Sequence, residues 1–438
     1  MRAPSTVSSV AVPRNRYVDL LRVCAIVAVV FGHWLLTAVT YRGGRLSGVD
    51  ALNDIDWGRW LTLLFQVIPV FFLVGGYANA VSWTEHRARG EGWTGWVRGR
   101  AMPLLWATTV YVVVAVLVVV LARAAGATGA ELSEAAWFTA LHLWFIPTYL
   151  LMIALTPLMF AAHRRWGLAV PTVMAIIAAA VDGAVIGWRV PLIGFANYLL
   201  VWGSIHQWGF AWQGGSLTHP RSRPPALFAG GVVSLAALLG PGPFPVDMIG
   251  SGQRINNTSP PSVALLSLAA AQAGLLLMLE PTANRLLSRD KWWRPVHRIN
   301  ALVITLYLWH MAPVVIVALA FYTTGMVPQP AIGTPLWWAL RPAWFAVLWI
   351  VLVPLAIAVT WLERPLRRVP PGFGPDWPGS AVLLAVGLTA AAVGLGRFAI
   401  AGFAPTGRPA VTVLIVYLSG LVLVLLSGHV AMKHASMS

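Results

Sequence analysis

Long apolar stretches recur along the whole chain. Segments such as 106–121 and 410–427 carry no charged residue over a length that crosses the hydrocarbon core of a bilayer. The pattern predicts an all-α fold, a polytopic membrane helical bundle of about 12 transmembrane helices. The first segment is longer than the apolar core of a signal peptide and has no cleavage site after it, so we retain it as a helix. The predicted helices are 17–39, 58–82, 102–122, 137–161, 167–187, 192–212, 225–241, 262–280, 299–321, 336–362, 378–398 and 410–430.

Composition excludes a soluble protein. Hydrophobic residues make up 58% of the 438 residues and charged residues only 10%, and the mean hydropathy is +0.74. The one cysteine, Cys24, rules out a disulfide framework, and we interpret it as a small core residue of the first helix.

The positive charge follows the membrane topology. The net charge of +16 would suggest a nucleic-acid partner if it covered one soluble face. Instead, 20 of the 30 Lys and Arg lie in the N-terminus, the even-numbered loops and the C-terminus, whereas 9 lie in or beside the odd-numbered loops. This positive-inside distribution predicts that both termini are cytoplasmic. No nucleic acid is expected as a partner.

The loops offer no soluble catalytic domain, so the chemistry must use residues within or beside the helices. Loop 40–57 is acidic, with Asp50, Asp54 and Asp56, and loop 242–261 is rich in Gly, Pro and Asn and long enough to shape a substrate entrance. The basic loops on the other side are 83–100, 162–166, 213–224, 281–298 and 363–377.

Two ionisable residues share the first helix. Arg22 and His33 are eleven residues apart, which places them on one face of a helix and about 16 Å apart along its axis. That distance is comparable with an extended pantetheine arm, so Arg22 could hold a phosphate of coenzyme A while the thioester reaches His33. In the alternative, Arg22 pairs with Asp19 and His33 is an ordinary hydrogen-bonded histidine. The cost of burying such groups in a membrane favours a functional role.

Several motifs occur in a defined order. Arg16-Tyr-Val-Asp-Leu-Leu-Arg22 is followed by Gly32-His33, and Pro69-Val-Phe-Phe-Leu-Val-Gly-Gly-Tyr77 by Arg98-Gly-Arg-Ala-Met-Pro103. Later come His142-Leu-Trp-Phe-Ile-Pro147, Thr305-Leu-Tyr-Leu-Trp-His310 and Glu363-Arg-Pro365. Together, over about residues 16–368, they resemble the acyltransferase-3 family of membrane-bound O-acyltransferases.

The resemblance implies a ten-helix acyltransferase domain over residues 1–370 and two additional C-terminal transmembrane helices in 371–438. It implies acyl transfer from cytoplasmic acyl-CoA, as co-substrate, to a hydroxyl acceptor. His33 would be the catalytic residue, as general base or as transient acyl carrier. Arg22, Arg98 and Arg100 would contact coenzyme A, although ordinary positive-inside topology also explains Arg98 and Arg100.

The chain departs from the family pattern at two places. Val97 stands where the family's wider arginine spacing has its first arginine, and Gly75-Gly76 replaces the more usual Ser-Gly. We interpret the glycine pair as a close helix contact.

Five residues are weaker candidates for contacting the acceptor or supporting His33. His142 could bind the acceptor or be hydrated at a helix end. His310 could orient His33 or the acyl donor, or make an ordinary buried hydrogen bond to a neighbouring helix. Trp144 could line the acyl path, but packing is the simpler interpretation. The remaining two are Asp19 and Glu363, and for Glu363 a pairing with neighbouring arginines is the simpler role. No metal is predicted, because no paired Cys/His spacing occurs.

The sequence therefore predicts an O-acyltransferase that moves an acetyl or other short acyl group to a carbohydrate, a glycolipid or a small molecule. The alternative is a secondary transporter with twelve helices, although neither two related halves nor matching broken helices are evident. The preference for Arg (28) over Lys (2) suggests a GC-rich bacterial genome and hence a bacterial cytoplasmic membrane.

Overall fold

The computed structural model describes residues 15–42, 45–249, 254–367 and 378–435. The N-terminal residues 1–14, part of the predicted entrance loop 242–261, and most of the predicted basic loop 363–377, including Arg368, lie outside this description. The described chain is almost entirely helical, in agreement with the all-α prediction.

The first half of the chain contains eight helices and one hairpin. They are α1 (Arg16–Leu36), β1 (Thr37–Arg42), β2 (Arg45–Asp50), α2 (Thr62–Phe65), α3 (Ile68–Ala88), α4 (Trp93–Ala124), α5 (Gly129–Ala140), α6 (Phe145–Trp166), α7 (Ala169–Gly187) and α8 (Asn197–Gln213). Short 3₁₀ turns connect some of them, at Ala51–Asn53, Asp56–Leu61, Leu141–Trp144 and Pro191–Ala196.

The second half contains eight further helices. They are α9 (Arg223–Leu239), α10 (Val263–Leu287), α11 (Asp290–Asn300), α12 (Val303–Trp309), α13 (Ala312–Tyr322), α14 (Pro335–Arg367), α15 (Ser380–Ala401) and α16 (Val411–Ala435).

Among the described residues, nine helical segments are long and apolar enough to cross a membrane, or ten if the bent pair α12–α13 is one span. The helices α8 and α9 have 17 residues each and are shorter than those nine. Every one of the twelve predicted segments overlaps a helix of the structure. The chain is a multi-pass membrane protein, whereas the number of crossings and the side on which the termini lie stay predictions.

Three predicted boundaries of the first half are wrong, and one of them is the start of α4, which lies at Trp93 and not at residue 102. Helix α1 ends at Leu36, not at residue 39, because Thr37 pairs with Asp50 and begins an antiparallel hairpin within the loop predicted at 40–57. The second membrane helix begins at Ile68, not at residue 58, because Pro69 occupies its first turn, where a missing N–H is tolerated. The preceding residues form the 3₁₀ turn and the short α2 instead.

Two predicted helices are broken at the motifs. The predicted helix 299–321 divides into α12 and α13, bent by 42°. Pro313 lies in the first turn of α13 and cannot donate to the carbonyl of Trp309, so the regular helix stops there and His310 lies in the break. The predicted helix 137–161 divides into α5 and α6, and its motif residues His142 and Trp144 lie in the 3₁₀ turn between them.

Helix α1 packs in the interior of the bundle. It contacts α3, α10, α11, α12 and α14, and Ile26, Val30 and Trp34 on it are fully buried. Cys24, predicted to be a core residue, is exposed on the surface of α1, so that prediction was wrong. Helix α1 is almost uniformly apolar, so the sequence could not show which of its residues the neighbouring helices leave exposed.

Helices α3 and α8 cross at very close range. A Cβ atom added to Gly76 would lie 2.1 Å from the carbonyl oxygen of His206, and one added to Gly209 would lie 2.7 Å from the Cα atom of Gly76. The close helix contact predicted for this glycine pair is confirmed at Gly76, because only glycine lets the two backbones approach so closely.

Candidate active site

Two histidines meet where α1 approaches the break between α12 and α13. The Nδ1 atom of His33 lies 3.0 Å from the Nε2 atom of His310, and the ring centroids are 4.9 Å apart. His310 is fully buried, whereas His33 is half-buried. The accessible side of the pair therefore belongs to His33.

The hydrogen-bond partners assign the tautomers of this pair. His310 Nδ1 lies 2.8 Å from the carbonyl oxygen of Tyr307, which can only accept, so Nδ1 of His310 carries the proton. The Nε2 atom of a neutral His310 is then an acceptor, and His33 donates to it from Nδ1. His33 is left with an unprotonated Nε2, which is the atom that a general base or a nucleophile requires.

A third histidine lies behind this pair. The ring centroids of His142 and His310 are 5.0 Å apart, and the two rings meet edge to face. His142 Nε2 lies 3.1 Å from the carbonyl oxygen of Leu308, and the Tyr307 hydroxyl donates to the carbonyl oxygen of His142. The break between α5 and α6 is thereby joined to the break between α12 and α13. Within the described ranges, no group of histidine, cysteine or acidic residues has the arrangement of a metal site.

Aromatic side chains fix the backbone around the pair. The indole N–H of Trp34, one residue after His33, donates to the carbonyl oxygen of His310 at 2.7 Å. Trp34 and Phe31 pack against Trp349 and Phe345 of α14, with centroid distances of 5.2 and 5.5 Å respectively. The position of His33 is therefore set from three helices.

Arg22 lies eleven residues before His33, and hence about 16 Å from it, along the uninterrupted α1. Its guanidinium pairs with Asp19 at 3.5 Å and is 27% exposed, whereas the Asp19 carboxylate is almost fully buried. Asn300 at the end of α11 also donates to Asp19, at 3.1 Å. The Asp19–Arg22 pair of the alternative interpretation is therefore present, although the Arg22 side chain still reaches the surface. We call this end of the bundle the Arg22 end and the other the His33 end.

Arg100 is held by a buried amide. Its Nε and Nη2 atoms donate to the Asn79 side-chain oxygen at 3.1 and 2.8 Å. The Asn79 nitrogen in turn lies 3.4 Å from both the Thr156 hydroxyl and Nε2 of His206. Arg100 itself is half-buried, so the remaining part of its guanidinium can meet a ligand.

Arg98 has a different environment. It is 2% exposed, and its Nη1 atom lies 3.4 Å from the Ser427 hydroxyl of α16. The structure therefore brings this arginine against the C-terminal helices and not into an open crevice.

Trp144 and Glu363 have no ring or hydrogen-bond contact with His33 or His310 among the contacts of the described residues. The ring partners of Trp144 are Phe145 and Trp202, at 6.4 and 6.0 Å. Glu363 is buried on α14, fourteen residues beyond Trp349 and hence about 21 Å farther along the helix, towards the Arg22 end. The structure does not bring either residue into the His33 pair.

Sequence reasoning missed Asn79 and Trp34. Asn79 had a recognisable signal, because a carboxamide in an otherwise apolar helix needs a partner. Trp34 had no such signal, because nothing in the sequence distinguishes it among the 23 tryptophans of the chain.

Comparison with known proteins gives the family. A family model described as an acyltransferase domain, acyltransferase-3, matches residues 15–362, from the first residue before α1 to the last turns of α14. Neither a curated protein nor a solved structure matches the chain. The match covers every motif up to His310 and excludes α15 and α16. Because this family model matches most of its length, the chain belongs to the acyltransferase-3 family.

Proposed function

We propose that this membrane acyltransferase is an O-acyltransferase that uses acyl-CoA. It moves an acetyl or other short acyl group from cytoplasmic acyl-CoA to a hydroxyl of a carbohydrate, glycolipid or secondary metabolite. The observation that supports this proposal is the hydrogen bond from His33 to His310, which leaves Nε2 of His33 unprotonated beside an accessible surface.

The reaction would proceed with His33 as general base. Nε2 takes the proton of the acceptor hydroxyl while that oxygen attacks the thioester carbonyl, forming the new C–O bond. The C–S bond then breaks, and His33 returns the proton to the departing thiolate of coenzyme A. His310 is a positioning residue in this scheme, since its Nε2 accepts from His33 and stabilises the imidazolium that forms.

Arg22 and Arg100 are the residues that we assign to the phosphates of coenzyme A. Both side chains are only partly buried, and both are held by a neighbouring oxygen, that of Asp19 or Asn79. Arg98 is the weaker candidate because it is buried against α16. It stabilises the contact between the family domain and the helices beyond it.

The proposed location is a bacterial cytoplasmic membrane with both termini inside. The Arg22 end then faces the cytoplasm, where acyl-CoA is available, and the His33 end lies towards the outer leaflet. An acyl group carried on the pantetheine arm would cross about half of the hydrocarbon core before transfer, since Arg22 and His33 are about 16 Å apart in a core of about 30 Å.

The function is tested by mass spectrometry of cell-surface glycans, lipids and secreted metabolites from host cells with the gene deleted and restored. We expect one class of molecule to lose an acyl mass increment in the deletion and to regain it on restoration. Uptake of a substrate into vesicles that contain the purified protein, without any requirement for acyl-CoA, would contradict the proposal and favour the transporter.

A further inference from the structure

A cavity of about 150 Å³ lies beside the end of α1 that carries His33. Its walls come from Ala38–Thr40 at the start of β1, from α13, from the segment 327–332 and from the first turns of α14. Residues 38–40 follow His33 by only five to seven positions. A cavity of this volume holds a molecule about the size of benzene.

Of the described residues that line this cavity, Arg341 is the only charged one. Its side chain is 92% buried, since 8% of its surface is exposed, and its Nε and Nη1 atoms have no hydrogen-bond partner. A guanidinium carries five N–H donors and cannot lose its charge in ordinary conditions. Buried donors without acceptors are unfavourable, and a buried charge usually has a partner.

Two tryptophan rings lie beside this guanidinium. The Arg341 carbon Cζ lies 3.8 Å from the ring centroid of Trp337 and 5.9 Å from that of Trp344. Tyr322 stacks on Trp344 with a centroid distance of 5.7 Å. Cation–π contacts of this kind stabilise the charge but supply no hydrogen-bond acceptor. The N–H donors on Nε and Nη1, of the kind that recognise carboxylate and phosphate, therefore remain without an acceptor.

The same helix connects the cavity to the neighbourhood of His33. Phe345 and Trp349, one and two turns beyond Arg341, contact Phe31 and Trp34 on either side of His33 in sequence. Helix α14 therefore carries both a wall of the cavity and the aromatic residues that pack beside His33.

We propose that this cavity binds an anionic oxygen group, a carboxylate or a phosphate, of the acceptor substrate, with Arg341 as its partner. The inference rests on the proposed function only in taking the ligand to be the acceptor. It assigns the acceptor to the class of acidic hydroxyl compounds. An anionic lipid headgroup has the same oxygen chemistry, so the test separates the two sources.

The test uses the full chain in nanodiscs of phosphatidylcholine, titrated with glucuronate, glucose 1-phosphate and glucose by calorimetry. We expect at least one of the two acids to bind ten times or more tighter than glucose, and Arg341→Gln to remove that difference. Arg341→Lys should keep part of it, because it retains the charge. Arg189→Gln, which removes an exposed arginine from the 187–191 segment, is the matched control and should bind as the unmodified protein does.

The second part of the test repeats the titration in nanodiscs that contain phosphatidylglycerol, and measures by native mass spectrometry whether that lipid stays bound. Retention by the unmodified protein but not by Arg341→Gln assigns the cavity to a lipid phosphate and overturns the acceptor assignment. If neither acid nor lipid distinguishes the two proteins, the cavity is not an anion site. Because His33→Ala should bind the acid normally while losing turnover, failure of this proposal and failure of the proposed function are distinguishable.

Discussion

Replacing His310 by phenylalanine isolates the contribution of its hydrogen bond to His33. The substitution keeps a buried aromatic ring of similar size but removes the Nε2 acceptor, which lies 3.0 Å from Nδ1 of His33. Leaving a buried donor unpaired costs about 1–3 kcal/mol. The interaction strengthens when His33 becomes an imidazolium, so the loss falls on the transition state.

At about 1.4 kcal/mol for each factor of ten, this cost corresponds to a kcat lowered about 5- to 150-fold. The KM for acyl-CoA should change less than about twofold, because the phosphates are bound at the Arg22 end. His310→Gln should recover part of kcat, since its side-chain oxygen can accept from His33.

The assay is the initial rate of acyl transfer from radiolabelled acetyl-CoA by purified protein in nanodiscs, with membranes of the deletion host as acceptor source. The melting temperature of each variant, followed in the same nanodiscs, shows whether it is folded. A folded His310→Phe variant with an unchanged kcat would refute the orientation argument.

Three further predictions concern binding and packing. Arg100→Ala should raise the KM for acyl-CoA about 10- to 150-fold, because it removes a charged contact of about 1.5–3 kcal/mol. Arg98→Ala should instead lower the melting temperature with KM unchanged; a raised KM for Arg98→Ala and an unchanged KM for Arg100→Ala would contradict the site. Gly76→Ala should destabilise the protein by about 1–3 kcal/mol or more in thermal melts, whereas Gly95→Ala, with no atom within 4 Å of the added methyl group, should be neutral. A chain ending at residue 370 should yield little folded protein on size-exclusion chromatography, because α15 and α16 cover α4 and α6; a monodisperse product would show that the family domain folds alone.

The relative placement of Arg22 and His33 could be predicted from the sequence because both lie on one continuous helix. Arg22 and His33 share α1, and helical periodicity alone fixes their separation and relative direction. The partnership of His310 with His33 was one of two open interpretations. Only the fold brings residues 277 positions apart into hydrogen-bond contact.

The features that the sequence could not predict share one cause, which is that they depend on tertiary packing. Arg98 and Arg100 are two residues apart, about 200° around α4, so they meet opposite neighbours, α16 and α3. Their spacing alone does not say which of them reaches a ligand. Similarly, the strand Thr37–Arg42 follows directly on the apolar helix α1. Its pairing with β2 could not be predicted, because the residues of β2 lie outside the helical pattern of that first segment.

The central claim is that the unprotonated Nε2 of His33 takes the acceptor proton. Its most direct test is the rate of acyl transfer by purified His33→Ala in nanodiscs, beside His219→Ala, which removes an exposed loop histidine. The account predicts a fall of about 10²- to 10⁴-fold for His33→Ala, with a normal melting temperature and bound acyl-CoA, and no change for His219→Ala. A folded His33→Ala protein that transfers acyl groups within a few-fold of the normal rate would contradict it.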